Sequence, residues 1–288
     1  MARVRGPRSI SVRDAVEPLL GASWLPEIDR LILKRNPVVF GAGIPLFGSV
    51  GSRYFVVEQP FQIYAAWLAT TRGLQTQNAF GDTQLNWLSA QMAASTAKWK
   101  VLATSVSMRP LVLDLTAPAL GVPPPFNQRF LLNVDQWDGF PQGKQATLAR
   151  LPAGTVLLSG DIHATLVGSS ARPGGGSVVE FTTPAVSSAS FRNLLANTAA
   201  NDPLLAPLAA QLLPMLDQLV SDVDLEYIQT TRPGHTVLDS GPSEFKANIR
   251  QYDPAVVLNP PPGTAPSPQR EIRFSFDGEF VSGEFQPG

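Results

Sequence analysis

The sequence contains no cysteine among its 288 residues. Disulfide bonds and thiolate metal sites are therefore excluded, and any metal ion must be held by oxygen and imidazole ligands. Charged residues are also scarce, at 16% of the chain, and the formal net charge is only −1. This composition argues against electrostatic capture of nucleic acid or of an acidic membrane surface.

Long apolar segments are missing as well. The most apolar run, residues 203–216, is too short to span a bilayer and is interrupted by Pro207, Gln211 and Pro214. The first thirty residues contain no continuous apolar segment of the kind that a secretory signal peptide requires. Because 44% of the residues are apolar and can build a core, the sequence predicts a soluble globular protein, cytoplasmic as written, with no transmembrane segment.

Residues 155–163, with the sequence TVLLSGDIH, carry the most informative chemistry. The apolar residues 156–158 predict a short buried strand, and Gly160 allows a sharp turn after it. Asp161 and His163 follow two positions apart at a strand end, where open α/β sheets place their sites, so we expect both side chains on one side. A carboxylate and an imidazole are suitable metal ligands. The alternative is that Asp161 caps a turn and His163 is an ordinary half-buried histidine.

Helical and strand patterns alternate along the rest of the chain, which is typical of an α/β fold. Apolar periodicity predicts helices at residues 1–35, 61–70, 141–151 and from 202 onwards, together with one that Asp82 caps and whose apolar face extends to Trp99. Strands are predicted at residues 54–57, 99–106, 164–168, 178–182, 236–238 and 245–252, followed by a closing hairpin at 273–281 with Asp277-Gly278 as its turn. Residues 41–51 are interpreted as a glycine-rich loop, and residues 108–127 as a long surface excursion.

Two other types of site are disfavoured. Residues 133–139 are similar to a calcium-binding loop, but their carboxylates miss the required spacing and Lys144 occupies the position where glutamate is needed. A serine hydrolase would need a G-x-S-x-G motif, which does not occur. His235, next to Gly234, is interpreted as structural.

Five short segments have a recognisable sequence and order. They are residues 80–88 (FGDTQLNWL), 94–100 (ASTAKWK), 135–140 (DQWDGF), 158–163 (LSGDIH) and 179–184 (VEFTTP). Together they resemble the PhoD-like alkaline phosphatase and phosphodiesterase family, a branch of the calcineurin-like metallophosphoesterases. The resemblance divides the chain into a helical and loop segment at residues 1–50 and the C-terminal part of a PhoD-like domain at residues 51–288.

This resemblance implies an α/β fold of packed mixed β-sheets flanked by helices, with a metal centre where strand ends meet. It also implies hydrolysis of phosphoric esters with iron and calcium as the metal ions. Asp161 and His163 match the family's late metal ligands and are the expected catalytic pair. Asp135, Trp137 and Asp138 are expected to border the substrate cavity, although a buried tryptophan beside a capped turn explains them equally well.

The family's earlier motifs, which supply its first aspartates and a tyrosine, do not occur in the sequence. The resemblance therefore covers the C-terminal half of a family domain, without its N-terminal strands. Asp161 and His163 alone are too few ligands for a closed metal centre. Two hypotheses follow: a phosphoric ester hydrolase that self-associates or is completed by a complementary chain, or a catalytically inactive family member that acts as a binding or structural module.

Overall fold

Three β-sheets with short helices around them make up the described part of the chain, which comprises residues 56–73, 79–124, 126–200, 205–222, 224–258, 265–278 and 281–287 of a computed structural model. The strands are β1 (Val56–Val57), β2 (Val101–Val106), β3 (Val112–Asp114), β4 (Arg129–Leu131), β5 (Val156–Gly160), β6 (Thr165–Ala171), β7 (Ser177–Thr182), β8 (Leu225–Gln229), β9 (Gly234–Ser240), β10 (Phe245–Gln251), β11 (Arg270–Phe276) and β12 (Val281–Pro287). The helices are α1 (Glu58–Arg72), α2 (Asp82–Ala94), α3 (Pro141–Arg150), α4 (Phe191–Ala199), α5 (Leu205–Leu212), α6 (Leu216–Leu219) and α7 (Pro254–Leu258).

The largest sheet has five strands in the order β2-β5-β7-β6-β8. Strands β2, β5 and β7 run parallel, whereas β6 pairs antiparallel with both β7 and β8. A second, antiparallel sheet has the order β12-β11-β10-β9, and a third joins β1, β4 and β3. The five-stranded sheet is therefore mixed, and its parallel half contains the strand before Asp161.

The two larger sheets pack face to face around an aromatic core. Phe181 of the five-stranded sheet has its ring centroid 6.3 Å from both Phe245 and Phe274 of the four-stranded sheet. In β10, alternate residues beginning with Phe245 are buried, which is the pattern expected for a strand with one face in the core. Val156 of β5 joins the same cluster of buried side chains.

Helices cover the opposite face of the five-stranded sheet. Leu157, which follows Val156 and therefore points to the other side of the sheet, packs with Met92 of α2 and Leu148 of α3. Leu166 of β6 packs with α4, α5 and α6. Both faces of the sheet are thus buried, and the predicted α/β architecture of packed mixed sheets flanked by helices is confirmed.

Most predicted elements are confirmed, with shifted ends. Helices α1 and α3 match the predictions at 61–70 and 141–151, and the hairpins β6-β7 and β11-β12 form as predicted. The predictions for residues 1–35 and 41–51 lie outside the described residues, as does the segment 1–50 of the predicted domain division. No helix in the described ranges is long and apolar enough to cross a membrane.

Four predictions of local structure are wrong. Asp82 is the first residue of α2 and Gly81 occupies the N-cap, so Asp82 is an acidic residue of the first turn and does not cap the helix. The helix ends at Ala94, so Trp99 is not part of it. The surface excursion predicted at residues 108–127 is wrong for its first part, because β3 pairs with β4 and residues 111–113 are buried, whereas residues 116–119 are exposed.

The other two corrections concern β2 and the helix that was predicted from residue 202 onwards. Strand β2 lies at the sheet edge, so Val101 is 42% exposed where a buried strand was predicted. Pro207 does not interrupt α5, which is continuous from Leu205 to Leu212, whereas Pro214 does interrupt the helix.

Candidate metal centre

The carboxyl ends of three parallel strands meet at one edge of the five-stranded sheet. Val106 at the end of β2 is paired with Gly160 at the end of β5, and Ser159 is paired with Thr182 at the end of β7. The residues that follow, including Asp161, therefore lie along this edge. Because open α/β sheets bind ligands outside the carboxyl ends of their strands, this edge is the place in the fold where a site is expected.

A strained turn follows β5. Asp161 and His163 have backbone φ angles of +67° and +58°, and they are the non-glycine residues with positive φ in the described part of the chain. The N–H of Ile162 donates to the carbonyl oxygen of Gly160 at 2.8 Å, which closes a tight turn around Asp161. Such backbone conformations cost about 1–3 kcal/mol each and cluster at functional sites. Asp161 and His163 are therefore not in a strand conformation. Their spacing of two residues does not by itself place both side chains on one side, as the sequence analysis expected.

The core and helix α4 hold this turn in place. Ile162 and Ala164, which flank His163, are 1% and 0% exposed. The carbonyl oxygen of His163 accepts a hydrogen bond from the N–H of Phe191, the first residue of α4, at 2.9 Å. His163 is consequently fixed on both sides along the chain and through its backbone.

The imidazole of His163 is oriented by a backbone carbonyl. Its Nδ1 atom lies 2.7 Å from the carbonyl oxygen of Ala189. Because a carbonyl can only accept a hydrogen bond, Nδ1 must carry the proton, and the Nε2 atom of the neutral ring then holds a lone pair. Metal-binding histidines are commonly held by such a hydrogen bond from the second ring nitrogen. His163 therefore fits the role of a metal ligand through Nε2.

The number of ligands is the weaker part of the fit. Asp161 is exposed at the edge of the sheet, and its carboxylate suits a hard or borderline cation. In the ranges that the structure describes, no group of three or more histidine, cysteine, aspartate or glutamate side chains is arranged to hold a metal ion. Asp161 and His163 thus provide ligands of the right chemical kind but fewer than a closed site requires.

A buried polar cluster lies beside this turn, and the sequence reasoning did not predict it. Glu180 of β7 is 1% exposed, and its Oε1 atom accepts hydrogen bonds from the Ser159 hydroxyl at 2.7 Å and from the N–H of Met108 at 3.0 Å. A single acidic residue inside the apolar pattern of a predicted strand, residues 178–181, was the available signal. Polar residues in such positions are uncommon because burying a charge without partners is costly.

The residues Asp135, Trp137 and Asp138 have a different environment. Trp137 is 2% exposed, and its ring centroid lies 5.2 Å from that of Phe80. The Oδ2 atom of Asp138 accepts hydrogen bonds from the N–H of Leu111 at 2.8 Å and from the side chain of Gln136 at 3.0 Å. Burial raises the pKa of the Asp138 carboxyl, and the charge of Lys144 acts in the opposite direction. Asp135 is exposed.

Trp137 and Asp138 line a cavity of about 470 Å³ between α1 and α3. Lys144 and Gln62 contribute further polar groups to its wall. Asp161 and His163, although both are described, do not line this cavity. The two candidate ligands therefore share the turn after β5, whereas Trp137 and Asp138 line the cavity between α1 and α3.

Comparison with known proteins identifies the family. The model of the family "PhoD-like phosphatase" matches residues 53–249, a range that contains all five segments of the resemblance. A solved structure named "Structure of PhoD" is similar with a TM-score of 0.47 and 17% sequence identity; the match covers 74% of this chain and 37% of that chain. No curated protein matches the sequence. Because the family model covers more than half of the 288 residues, the chain belongs to the PhoD-like phosphatase family.

Proposed function

We propose that this chain takes part in metal-dependent hydrolysis of phosphoric esters, and that Asp161 and His163 are two of the metal ligands. The observation that carries the proposal is the turn after β5, where two strained residues of metal-binding type follow each other at the carboxyl edge of a parallel sheet. Membership of a phosphatase family supports the reaction type. Phosphomonoesters and phosphodiesters are the expected substrates, and the resemblance suggests iron and calcium as the ions.

The residues of the turn have distinct roles in this proposal. The Asp161 carboxylate would supply anionic oxygen to the ion, and the hydrogen bond of Nδ1 to Ala189 leaves Nε2 of His163 as the nitrogen that would bind it. When bound, a metal ion lowers the pKa of a coordinated water and neutralises the phosphoryl oxygens of the substrate. The strained backbone keeps both side chains in place before the ion binds, which reduces the entropy lost on binding.

The proposal requires additional ligands beyond Asp161 and His163. Since no cluster of three ligand side chains occurs in the described ranges, the others would come from residues outside those ranges, from a second copy or from a complementary chain. The expected role of Asp135 at a substrate cavity stays a prediction. That Trp137 and Asp138 border a substrate cavity also stays a prediction, and core packing and hydrogen bonds explain their burial equally well.

The test is metal binding by the purified full chain, with elemental analysis followed by titration with Mn²⁺. We expect Asp161→Asn and His163→Ala each to lower Mn²⁺ affinity by at least about tenfold while thermal unfolding changes little. The chain offers a matched control in its other histidine: His235→Ala removes an imidazole that stacks on Tyr252 in the four-stranded sheet and should leave Mn²⁺ affinity unchanged. Unchanged affinity in both site variants would remove Asp161 and His163 from the metal centre.

Activity is measured on the same preparations with a phosphomonoester and a phosphodiester. Hydrolysis that disappears in Asp161→Asn and His163→Ala, but not in His235→Ala, supports the enzyme. The alternative is a family member that keeps the fold as a binding or structural module, and the small number of ligand side chains in the described ranges favours it. A stably folded chain that binds no Mn²⁺ and hydrolyses neither ester would establish that alternative.

A further inference from the structure

The buried carboxylate of Glu180 is the unusual feature next to the candidate metal centre. It lies in the middle of the five-stranded sheet, on the face that the helices cover. Its Oε1 atom accepts short hydrogen bonds from Ser159 and Met108 and lies 3.4 Å from the hydroxyl of Thr182, whereas Oε2 has no hydrogen-bond partner within the described residues. A charge in this position is unfavourable unless its hydrogen bonds compensate for lost hydration. The hydrogen bonds of Oε1 are therefore what compensates for burying this side chain.

The partners of Glu180 lie at the ends of two other strands. Met108 follows β2 by two residues, and Ser159 is in the last part of β5. The pairing of β2 with β5 shifts register between Ala103 and Val106 and resumes where Val106 pairs with Gly160. The Glu180 carboxylate adds a bridge between the end of β5 and the residues that follow β2, next to this irregular pairing.

Hydroxyl groups extend this bridge. The Oγ1 atom of Thr182 lies 2.9 Å from Oγ of Ser159 and 3.1 Å from Oγ of Ser107, and its single hydrogen can be donated to either of them. Ser107 in turn accepts a hydrogen bond from the N–H of Arg109 at 3.0 Å. The cluster consequently joins the carboxyl ends of β2, β5 and β7, which are the three strands that form the edge with the Asp161 turn.

Ser159 connects the cluster to the turn, since it precedes Asp161 by two residues. Its carbonyl oxygen accepts a hydrogen bond from the N–H of Thr183 at 2.8 Å, and its hydroxyl binds Glu180. A strained backbone persists only where the surrounding structure fixes it at several points. Ser159 supplies two such points immediately before the strained residues.

We propose that Glu180 is a positioning residue for the candidate metal centre. Through Ser159 and Met108 it fixes the ends of β5 and β2, and it thereby holds the turn that presents Asp161 and His163. This role of Glu180 rests on the function proposed above, but its effect on the turn can be measured in the metal-free protein. A carboxyl group suits this buried position because one of its oxygens can accept hydrogen bonds from Ser159 of β5 and from Met108 after β2 at once.

Three variants of the full chain separate the contribution of the Ser159 hydroxyl from that of the Glu180 side chain and of its charge. Ser159→Ala removes the hydroxyl that links Glu180 to β5, Glu180→Ala removes the whole bridge, and Glu180→Gln keeps the shape and an acceptor oxygen. Tyr227→Phe is the matched control, because it removes one buried hydroxyl hydrogen bond, that from Tyr227 to Gln251 at 3.0 Å, from β8 of the same sheet.

The primary readout is amide hydrogen exchange by NMR without metal, at Ile162 and Phe191, whose N–H groups close the turn and attach it to α4. We expect exchange at both amides to rise at least about tenfold, relative to core amides, in Ser159→Ala and Glu180→Ala, and less in Glu180→Gln. Mn²⁺ affinity should fall by about tenfold in the first two variants, as is usual when the support of a ligand is lost. Tyr227→Phe should change neither quantity.

Exchange at wild-type rates in Ser159→Ala and Glu180→Ala would overturn the positioning role, whatever the metal affinity. If Glu180→Ala does not fold, Ser159→Ala and Glu180→Gln decide the question alone. A wild-type chain that binds no Mn²⁺ contradicts the proposed function, and the exchange rates at Ile162 and Phe191 still decide separately whether Glu180 holds the turn. An equal rise in exchange in Tyr227→Phe would show a general loss of stability and would also overturn the proposal.

Discussion

The carbonyl oxygen of Ala189 lies 2.7 Å from Nδ1 of His163, 26 residues away along the chain. Ala189 directly precedes Ser190, the N-cap residue of α4, and Phe191 returns a backbone hydrogen bond to His163. The start of α4 and the turn after β5 are thus joined in both directions. The orientation of the imidazole therefore depends on where α4 begins as well as on the strand that precedes the turn.

Backbone strain at Asp161 gives the first prediction. Glycine adopts a φ near +67° without steric cost, whereas a β-branched residue is strongly disfavoured there. We expect Asp161→Gly to keep the stability of the chain within about 1 kcal/mol, and Asp161→Val to lower it by about 1–3 kcal/mol. Urea unfolding of both variants measures the difference. Equal stability of the glycine and valine variants would contradict the strained geometry.

The second prediction concerns Trp99, which joins the start of β2 to the four-stranded sheet. Its ring lies 5.9 Å from that of Phe245 and 6.0 Å from that of Phe276, and its indole N–H donates to the carbonyl oxygen of Gly241 at 2.7 Å. Trp99→Ala should lower the free energy of unfolding by about 2–5 kcal/mol. Trp99→Phe, which loses mainly the hydrogen bond, should cost about 1 kcal/mol.

The control for Trp99 is Trp87 of α2, which is 61% exposed. Trp87→Ala should change the free energy of unfolding by less than about 0.5 kcal/mol, the usual scale for surface substitutions. Chemical denaturation followed by circular dichroism compares the three variants. A loss in Trp99→Ala as small as that in Trp87→Ala would mean that the two sheets are not joined through Trp99.

The third prediction uses the buried carboxyl of Asp138. Burial raises its pKa above the ordinary value of 3.8, so between that value and the raised one the folded chain binds more protons than the unfolded chain. The contribution of Asp138 to stability is therefore greatest below pH 3.8 and falls as pH rises through this window. Asp138→Asn cannot ionise, and its carbonyl can keep both hydrogen bonds that Oδ2 accepts.

We therefore expect Asp138→Asn to gain stability relative to the wild type as pH rises from 4 to 8, measured by urea unfolding in steps of about one pH unit. Asp138→Ala is the control for the hydrogen bonds, and it should lose about 1–3 kcal/mol because Leu111 and Gln136 are left without their acceptor. A constant difference in unfolding free energy between Asp138→Asn and the wild type over this range would show that burial does not raise the pKa of the Asp138 carboxyl.

The fourth prediction concerns the ion pair between Arg109 and Asp222, whose side chains are only 2% and 4% exposed. Arg109 also donates to Oγ of Ser170 at 3.0 Å, so it connects residues of three separate segments. Removing either partner leaves the other buried without its counter-charge, and we expect Arg109→Ala or Asp222→Ala to cost about 3–5 kcal/mol.

The double variant tests whether the cost comes from the pair. Arg109→Met with Asp222→Leu replaces both charges by apolar groups and should cost less than the sum of the two single alanine variants. Urea unfolding of the four proteins provides the comparison. Strict additivity would contradict a direct coupling between the two side chains.

The sequence predicted the fold well where apolar periodicity and turn residues agree. Residues 245–252 alternate regularly and form β10, and Asp277-Gly278 lies between the strands of the closing hairpin. The strand β3 was missed because it is three residues long, follows Pro110 and has no alternation; its pairing with β4 stabilises it. Local patterns contain no information about such a distant partner.

The candidate site could be predicted only in part. The residue types and position of Asp161 and His163 follow from the sequence, but their positive φ angles depend on the packing of Ile162 and Ala164 and on α4. The interaction of His163 with Ala189 uses a backbone carbonyl, which every residue possesses and no motif reveals. Glu180 was visible as an acid in an apolar strand, but its partners come from two other strands.

The order of strands in the five-stranded sheet has a consequence for how the chain folds. The hairpin β6-β7 joins neighbouring segments, whereas the parallel pair β2-β5 joins strands separated by α3 and two short strands. Closing such a long loop costs entropy before any contact compensates for it, so non-local parallel pairs form slowly. We expect the hairpins to form early and the edge with the Asp161 turn to be completed among the last steps. A newly made chain would then reach its compact shape before it acquires any capacity to bind an ion.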